Sequence, residues 1–354
     1  MREITDRQLP DMARGAAVLG TGGGGDPYVG RLLAQEAVRR HGPVTLVDVD
    51  EVPDDAVVVP TAFMGAPTVL VEKLPSGAEM TAALRAVEEL IGRPATHTVS
   101  IEAGGLNSMI PITAAAELGL PLIDADGMGR AFPELQMLLP TLGGILASPM
   151  ALADERGNTL GVRAVDNGWA ERLARTATVE MGCSAGVSLY VLTGRQVKEH
   201  LVRGTMTLCE RLGQAIREAA DAHTDPVEAA AGVLGGRLVF TGKVTDVQRR
   251  TEGGFARGEA LLDGLGADLG HGLGVSFQNE NLVARRDGEV VVSVPDLICV
   301  LDTDSGTPVT TEGLRYGMRV SVLAAPCDER WRTPEGLALA GPAYFGYDHP
   351  YVPV

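Results

Sequence analysis

Apolar positions along the chain follow two different patterns, and the change falls near residue 165. In the first part, short Val-rich runs alternate with segments of helical period. ITDRQLPDMARGAAVL (4–19) predicts a helix with an acidic start. YVGRLLAQEAVRRH predicts a second, with apolar residues at 29, 32, 33 and 37 and basic residues in its last turn. VTLVDVD (44–50) and AVVVPTAF (56–63) read as buried strands. Helix ALRAVEELIG, strand THTVSIEAG, helix IPITAAAELG and strand LPLIDADG follow in turn. Such alternation predicts an α/β domain with a largely parallel sheet over 1–165.

From 166 to 354 the pattern is different. An amphipathic helix is expected at 167–181, a strand at SAGVSLYVL and a long helix at RGTMTLCERLGQAIREAADAH. Beyond 237 short strands take over, separated by turns such as RDGE (286–289) and TDSGT (303–307). The expectation is an α+β, β-rich C-terminal domain.

Composition narrows the function classes. A length of 354 residues suits two domains, and 45% hydrophobic with 21% charged residues is globular. Aromatics are only 4% beside 45 glycines, which predicts an aliphatic, closely packed core. A formal charge of −16 argues against nucleic acid as a partner, because phosphate binding needs clustered Lys and Arg. No apolar run approaches the roughly 20 residues that cross a bilayer, so no membrane partner is expected. MREITDRQLPDMARG has no apolar h-region, and Cys183, Cys209, Cys299 and Cys327 form no CxxC pair. Reduced thiols and a cytoplasmic location are the expectation.

Four stretches carry candidate chemistry. GTGGGGDP (20–27) exposes backbone N–H groups that can cradle an anion or substrate through Gly22, Gly23, Gly24 and Gly25, with Asp26 capping a helix ahead of Pro27. The plainer reading is a tight helix-to-helix turn. SIEAGGLNSMIP (100–111) places Glu102 and Asn107 at the carboxyl end of a strand, where ligands gather in α/β sheets. There Glu102 would be a base or an anchoring acceptor, or else a helix cap.

LIDADGMGRAFPE (122–134) sets Asp124, Asp126, Arg130 and Glu134 at the end of the next strand. If the two strands are neighbours, these residues and Glu102 converge on one rim. Paired carboxylates drive their pKa values apart, leaving a base and a proton donor. Arg130 would fork onto a substrate carboxylate, or brace a salt-bridged loop. VSFQNENLVARRDG (275–288) interrupts a strand with Gln278, Asn279, Glu280 and Asn281, as a bulge facing a cleft or as an exposed edge.

Six histidines form no HxH or HExxH spacing. No cofactor is expected; the carboxylates leave open a weakly held divalent ion with oxygen ligands. Cys183, with no base adjacent in sequence, reads as an inert thiol.

GTGGGGDP, EAGGLN, DADGMGRAFPE, FQNEN, PDLICVLD and GPAYFGYD together resemble, in the same order, the S-methyl-thiohydantoin desulfurase family of bacteria and archaea. That family occurs beside or fused to hydantoinase and oxoprolinase-like enzymes. The resemblance covers nearly the whole chain and implies two domains and hydrolysis of a cyclic S-methyl isothiourea to a hydantoin and methanethiol. On this reading Glu102, Asp124, Asp126 and Glu134 are catalytic candidates. Gly22 to Gly25, Asp26, Asn107, Arg130, Gln278, Asn279 and Glu280 would bind a small-molecule substrate, and the chain is expected to form a homo-oligomer. The other readings are a hydrolase of a different cyclic amide or imide, and a non-catalytic partner of a hydantoinase-type enzyme.

Overall fold

The computed structural model describes residues 1–65, 69, 75–252 and 255–354. In chain order the first eleven strands are β1 (Arg2–Ile4), β2 (Val44–Val47), β3 (Val57–Val58), β4 (Thr61–Gly65), β5 (Thr98–Ser100), β6 (Leu122–Asp126), β7 (Met150–Ala153), β8 (Thr159–Val162), β9 (Ser184–Ser188), β10 (Leu192–Thr193) and β11 (Val202–Arg203). Nine of them form one sheet in the order β1-β2-β6-β5-β4-β9-β7-β8, with β11 paired to β6. The four central strands, β2, β6, β5 and β4, are parallel, as the helix–strand alternation predicts. The flanks are antiparallel, with β1 on one side and β9, β7 and β8 on the other. Strands β9 and β11 carry this sheet past residue 165.

The helices form where caps and apolar faces allow them. Asp26 accepts the Tyr28 N–H at 2.9 Å and Pro27 opens the helix Pro27–His41, whose last turn is basic. The first predicted helix starts only at Leu9, because Arg2–Ile4 pairs with β2 as an edge strand. Helix Leu9–Leu19 crosses Thr205–Asp221 at very short range. A Cβ on Gly15 would lie 1.8 Å from the Cys209 carbonyl oxygen, and one on Gly213 would lie 1.8 Å from that of Asp11. Glycine at both positions lets the two backbones touch.

The remaining strands are β12 (Arg237–Glu252), β13 (Phe255–Gly264), β14 (Gly272–Gln278), β15 (Glu280–Arg286), β16 (Glu289–Ser293), β17 (Leu297–Asp302) and β18 (Arg319–Ala325). They make an antiparallel sheet in the order β16-β15-β14-β13-β12-β18-β17. The sheet curls, since Asn281 on β15 donates to the Ile298 carbonyl on β17 at 2.9 Å although four strands separate them in the order. Val244, Leu262, Val275, Val292 and Val322 fill its interior. A second apolar core is shared between the domains: Leu19, Phe132 and Met137 pack in one cluster with Leu282, Leu297 and Trp331. The chain is therefore a two-domain protein, α/β then β-rich, with a continuous apolar seam.

Among the described residues no helix is long and apolar enough to cross a membrane.

Candidate functional site

The carboxyl ends of β4 and β5 and the loop after β6 open onto a cavity of about 110 Å³, closed from the C-terminal domain by the tip of the β14–β15 hairpin. Such a volume admits a small ring or several waters. Phe63, Met64, Phe132, Val187 and Leu189 make much of the wall apolar. Glu102 and Glu280, 6% and 2% exposed, enter it from the two domains.

Each glutamate is held from one side. Asn107 accepts the Phe63 N–H at 2.7 Å and donates to the Phe63 carbonyl at 3.1 Å and to Glu102 Oε1 at 2.7 Å. The Asn107 side chain thus clamps β4 and aims Glu102. Glu280 Oε1 accepts the Gly24 N–H at 3.1 Å, while Oε2 is buried with no hydrogen-bond partner among the described residues. A Cβ on Gly23 would fall 2.0 Å from Glu280 Oε1, so the glycine run is what allows this carboxyl to lie against the backbone.

Burial decides the electrostatics. It pushes Glu102 up to about 7, opposed by the Asn107 hydrogen bond and reinforced by the charge of Asp126. Burial also raises Glu280 well above an ordinary carboxyl, reinforced by Glu102 and opposed by Arg130. Two carboxyls raised together in one apolar chamber, with Glu102 near its midpoint at neutral pH, are a setting for a proton donor and a base side by side.

Two further polar groups stand in the lining. Glu134 Oε2 accepts the Tyr344 hydroxyl at 2.7 Å and the Gln136 amide. Arg175 is ion-paired to Glu171 through Nε and lies 4.7 Å from the Phe255 ring centroid. Sequence analysis missed Arg175, because a basic residue in an amphipathic helix looks like ordinary solvated surface. It also missed the apolar walls, which look like core.

Gly24, Gly25, Glu102, Asn107, Glu134, Asn279 and Glu280 are brought together at this cavity. Several other expectations are corrected. Asp124 accepts the Thr207 N–H at 3.0 Å and the Thr207 hydroxyl, capping helix Thr205–Asp221 on the far side of β6. Asp126 is fully buried outside the lining, where its Oδ2 accepts the N–H groups of Ala103, Met128 and Gly129 at 2.7, 2.9 and 2.7 Å. It shapes two loops and touches no ligand space.

Arg130 is neither a substrate fork nor a carboxylate brace. It is fully buried and donates to the carbonyls of Ala131, Pro295, Asp296 and Asn281 and to the Thr21 hydroxyl, over the Phe132 ring. Gly22 and Gly23 lie behind the lining, and the Gly22 carbonyl accepts from Thr311 at 2.7 Å. Asp26 caps its helix and lies outside this lining, and Gln278 lines a different depression. The polar run 278–281 is not an exposed edge: it is a buried hairpin tip with Asn279 at φ 56°. The register irregularity sits beside it, with Leu282 the extra residue between the pairs Phe277–Asn281 and Ser276–Val283, so that Asn279 and Glu280 are carried into the cleft.

Cys183, half-buried at φ 65°, stands outside the cavity. Among the described residues no group of three His, Cys, Asp or Glu is placed to hold a metal ion.

Residues 7–164 match the model of the S-Me-THD-like N-terminal domain, and residues 165–354 match that of the S-Me-THD-like C-terminal domain. The chain belongs to the S-Me-THD-like family. In this S-Me-THD-like chain the two facing glutamates come one from each matched domain. A crystal structure of a protein from Chromobacterium violaceum is similar over 100% of both chains, with a TM-score of 0.84 and 27% identity. No curated protein matches the chain significantly.

Proposed function

We propose that the chain is a hydrolase of a small hydantoin-like ring, acting on an S-methyl-thiohydantoin to release methanethiol. The family is consistent with a desulfurase-type role. The observation that carries the reading is the pair of buried glutamates, Glu102 pushed up to about 7 and Glu280 raised well above an ordinary carboxyl, facing one apolar cavity of small-ring size.

Hydrolysis at the ring carbon that bears the S-methyl group needs a base for water and an acid for ring nitrogen. Glu102, ionised, takes a proton from water as its oxygen bonds to the carbon bearing sulfur. Glu280, protonated, gives its proton to the adjacent ring nitrogen. On collapse the C–S bond breaks, the hydroxyl proton returns to Glu280, and methanethiolate takes the proton held on Glu102. The products are the hydantoin carbonyl and methanethiol, with both carboxyls reset. Arg175 lines this cavity with its Nε on Glu171, and on this reading its guanidinium holds an acidic substituent of the ring.

The accessory-partner reading requires no enclosed polar pocket, and the buried glutamate pair weighs against it. Incubation with S-methyl-thiohydantoin propionate and quantification of methanethiol tests the proposal. Turnover abolished by Glu102→Gln is expected. Absence of methanethiol, alongside ring opening of another cyclic amide or imide, would move the assignment to that chemistry.

A further inference from the structure

Gln278 and Glu280 are register partners across the hairpin tip, with Asn279 between them. Glu280 lines the catalytic cavity, whereas Gln278 lines a second depression of about 540 Å³ over β12, β13 and β14 that shares no lining residue with the first. The strand register shows what gathers there. Arg250 on β12 lies directly opposite Arg257 on β13, and Arg257 lies opposite Gln278 on β14. Two residues along, Gln248 faces Glu259 and Glu259 faces Ser276. With a period of two, all six side chains share one face of the sheet.

Like charges directly opposite one another destabilise an antiparallel pair. Here the pair is poorly compensated. Arg250 has only Glu252 at 3.3 Å, with both side chains exposed, and Arg257 has no ion-pair partner among the described residues. Arg249 is not part of the set, because its guanidinium is spent on the carbonyls of Thr311 and Leu314. Gln278 is only 5% exposed, yet its amide makes no hydrogen bond among the described residues and opens into the depression. An amide with no side-chain partner that reaches solvent in this depression, beside two opposed guanidinium groups, is an available donor set. Phe345 and Tyr347, the latter with Arg285 at 5.6 Å from its ring centroid, form an aromatic wall beside it.

We propose that this depression is a second ligand site, taking a small organic oxyanion through Arg250, Arg257 and Gln278. Forked guanidinium donors suit carboxylate and phosphate equally. Glu259 bars the anion from the Ser276 end, which leaves the Arg250–Arg257–Gln278 end as its seat. The aromatic wall offers a face to the organic part.

Isothermal titration at fixed ionic strength, with citrate and separately with pyrophosphate, tests this without reference to turnover. One saturable site per chain is expected for at least one of the two. Response to citrate alone identifies carboxylate as the source, and response to pyrophosphate alone identifies phosphate. Arg250→Gln/Arg257→Gln should weaken binding about tenfold or more, and Gln278→Ala measurably, while Glu102→Gln leaves it intact. Both arginines are exposed and mutually repulsive, so the double variant should melt no lower than the parent. Failure of both anions to saturate overturns the proposal, as does saturable binding unchanged in the double variant. Binding confined to a polyglutamate peptide would overturn it too, since that marks a protein interface.

Discussion

Replacing Glu102 by Gln separates the electrostatic argument from a merely structural one. Glu102 has an ordinary value of 4.5 and is pushed to about 7 in the folded protein, chiefly by burial. A raised carboxyl binds its proton more tightly in the folded chain than in the unfolded one. Its contribution is therefore neutral below about pH 4.5, and stability is lost progressively as pH rises from 4.5 through 7. At about 1.4 kcal/mol per pH unit, the rise corresponds to about 3 kcal/mol lost above pH 7. Glutamine keeps an oxygen for the Asn107 amide and cannot ionise, so Glu102→Gln should be more stable than the parent by up to about 3 kcal/mol at pH 8. Near pH 4 the two should be equal. Urea unfolding of both proteins across that range measures the difference, which includes the easing of Glu280 once the charge of Glu102 is gone. The same variant should lose about a hundredfold or more in kcat, as expected when a general base is removed. Two proteins with parallel stability–pH curves would refute the raised value, and with it the acid–base assignment.

Gly23→Ala puts a methyl where Glu280 Oε1 now lies, 2.0 Å away, and should lower kcat by about tenfold or more while circular dichroism stays unchanged. Arg130→Lys should lower the melting temperature by the equivalent of about 3 kcal/mol, since an ammonium cannot serve the five oxygens that the guanidinium reaches, and KM should follow only through loss of folded protein. Arg175→Gln should raise KM about tenfold for a ring carrying a carboxylate and leave KM for its uncharged amide unchanged; equal effects on both would remove Arg175 as the anchor.

What was legible in the sequence was local. The helix Pro27–His41 could be bounded by its cap and basic end, and Glu102 could be placed at a ligand-bearing strand end by the alternation of helix and strand. Asp124 and Asp126 were misread for a specific reason, while Glu134 does reach the cavity. Residues two apart on a strand share a face, so Asp124 and Asp126 do lie together. Spacing says nothing about which layer that face meets. It meets the N-terminus of helix Thr205–Asp221, where Asp124 caps Thr207 and Asp126 faces Thr205. Carboxylates are favourable beside the partial positive charge of a helix N-terminus, and that helix follows about 80 residues later in the chain. Arg130 was misread in the same way. Its acceptors are carbonyls near residues 281 and 295, a pairing that only the domain seam creates.

Asp126 nonetheless acts on the site through its charge. It lies behind the loop that carries Glu102 and binds the N–H of Ala103, the next residue. Burial raises Asp126 itself to about 6, so it is largely ionised at pH 7, and its charge is one of the groups holding Glu102 high. Asp126→Asn keeps an oxygen for the three loop N–H groups and removes that charge. The like-charge penalty on ionising Glu102 then falls, so Glu102 should ionise at a lower pH. The acidic limb of kcat/KM, expected near pH 7 in the parent, should move down by about half a pH unit or more, the equivalent of ~0.7 kcal/mol. A purely structural role predicts something else: a uniform drop in activity at every pH, with the limb in place. Measuring kcat/KM across the neutral range for both proteins distinguishes the two, and a limb that stays put or moves up would show that Glu102 does not sense Asp126.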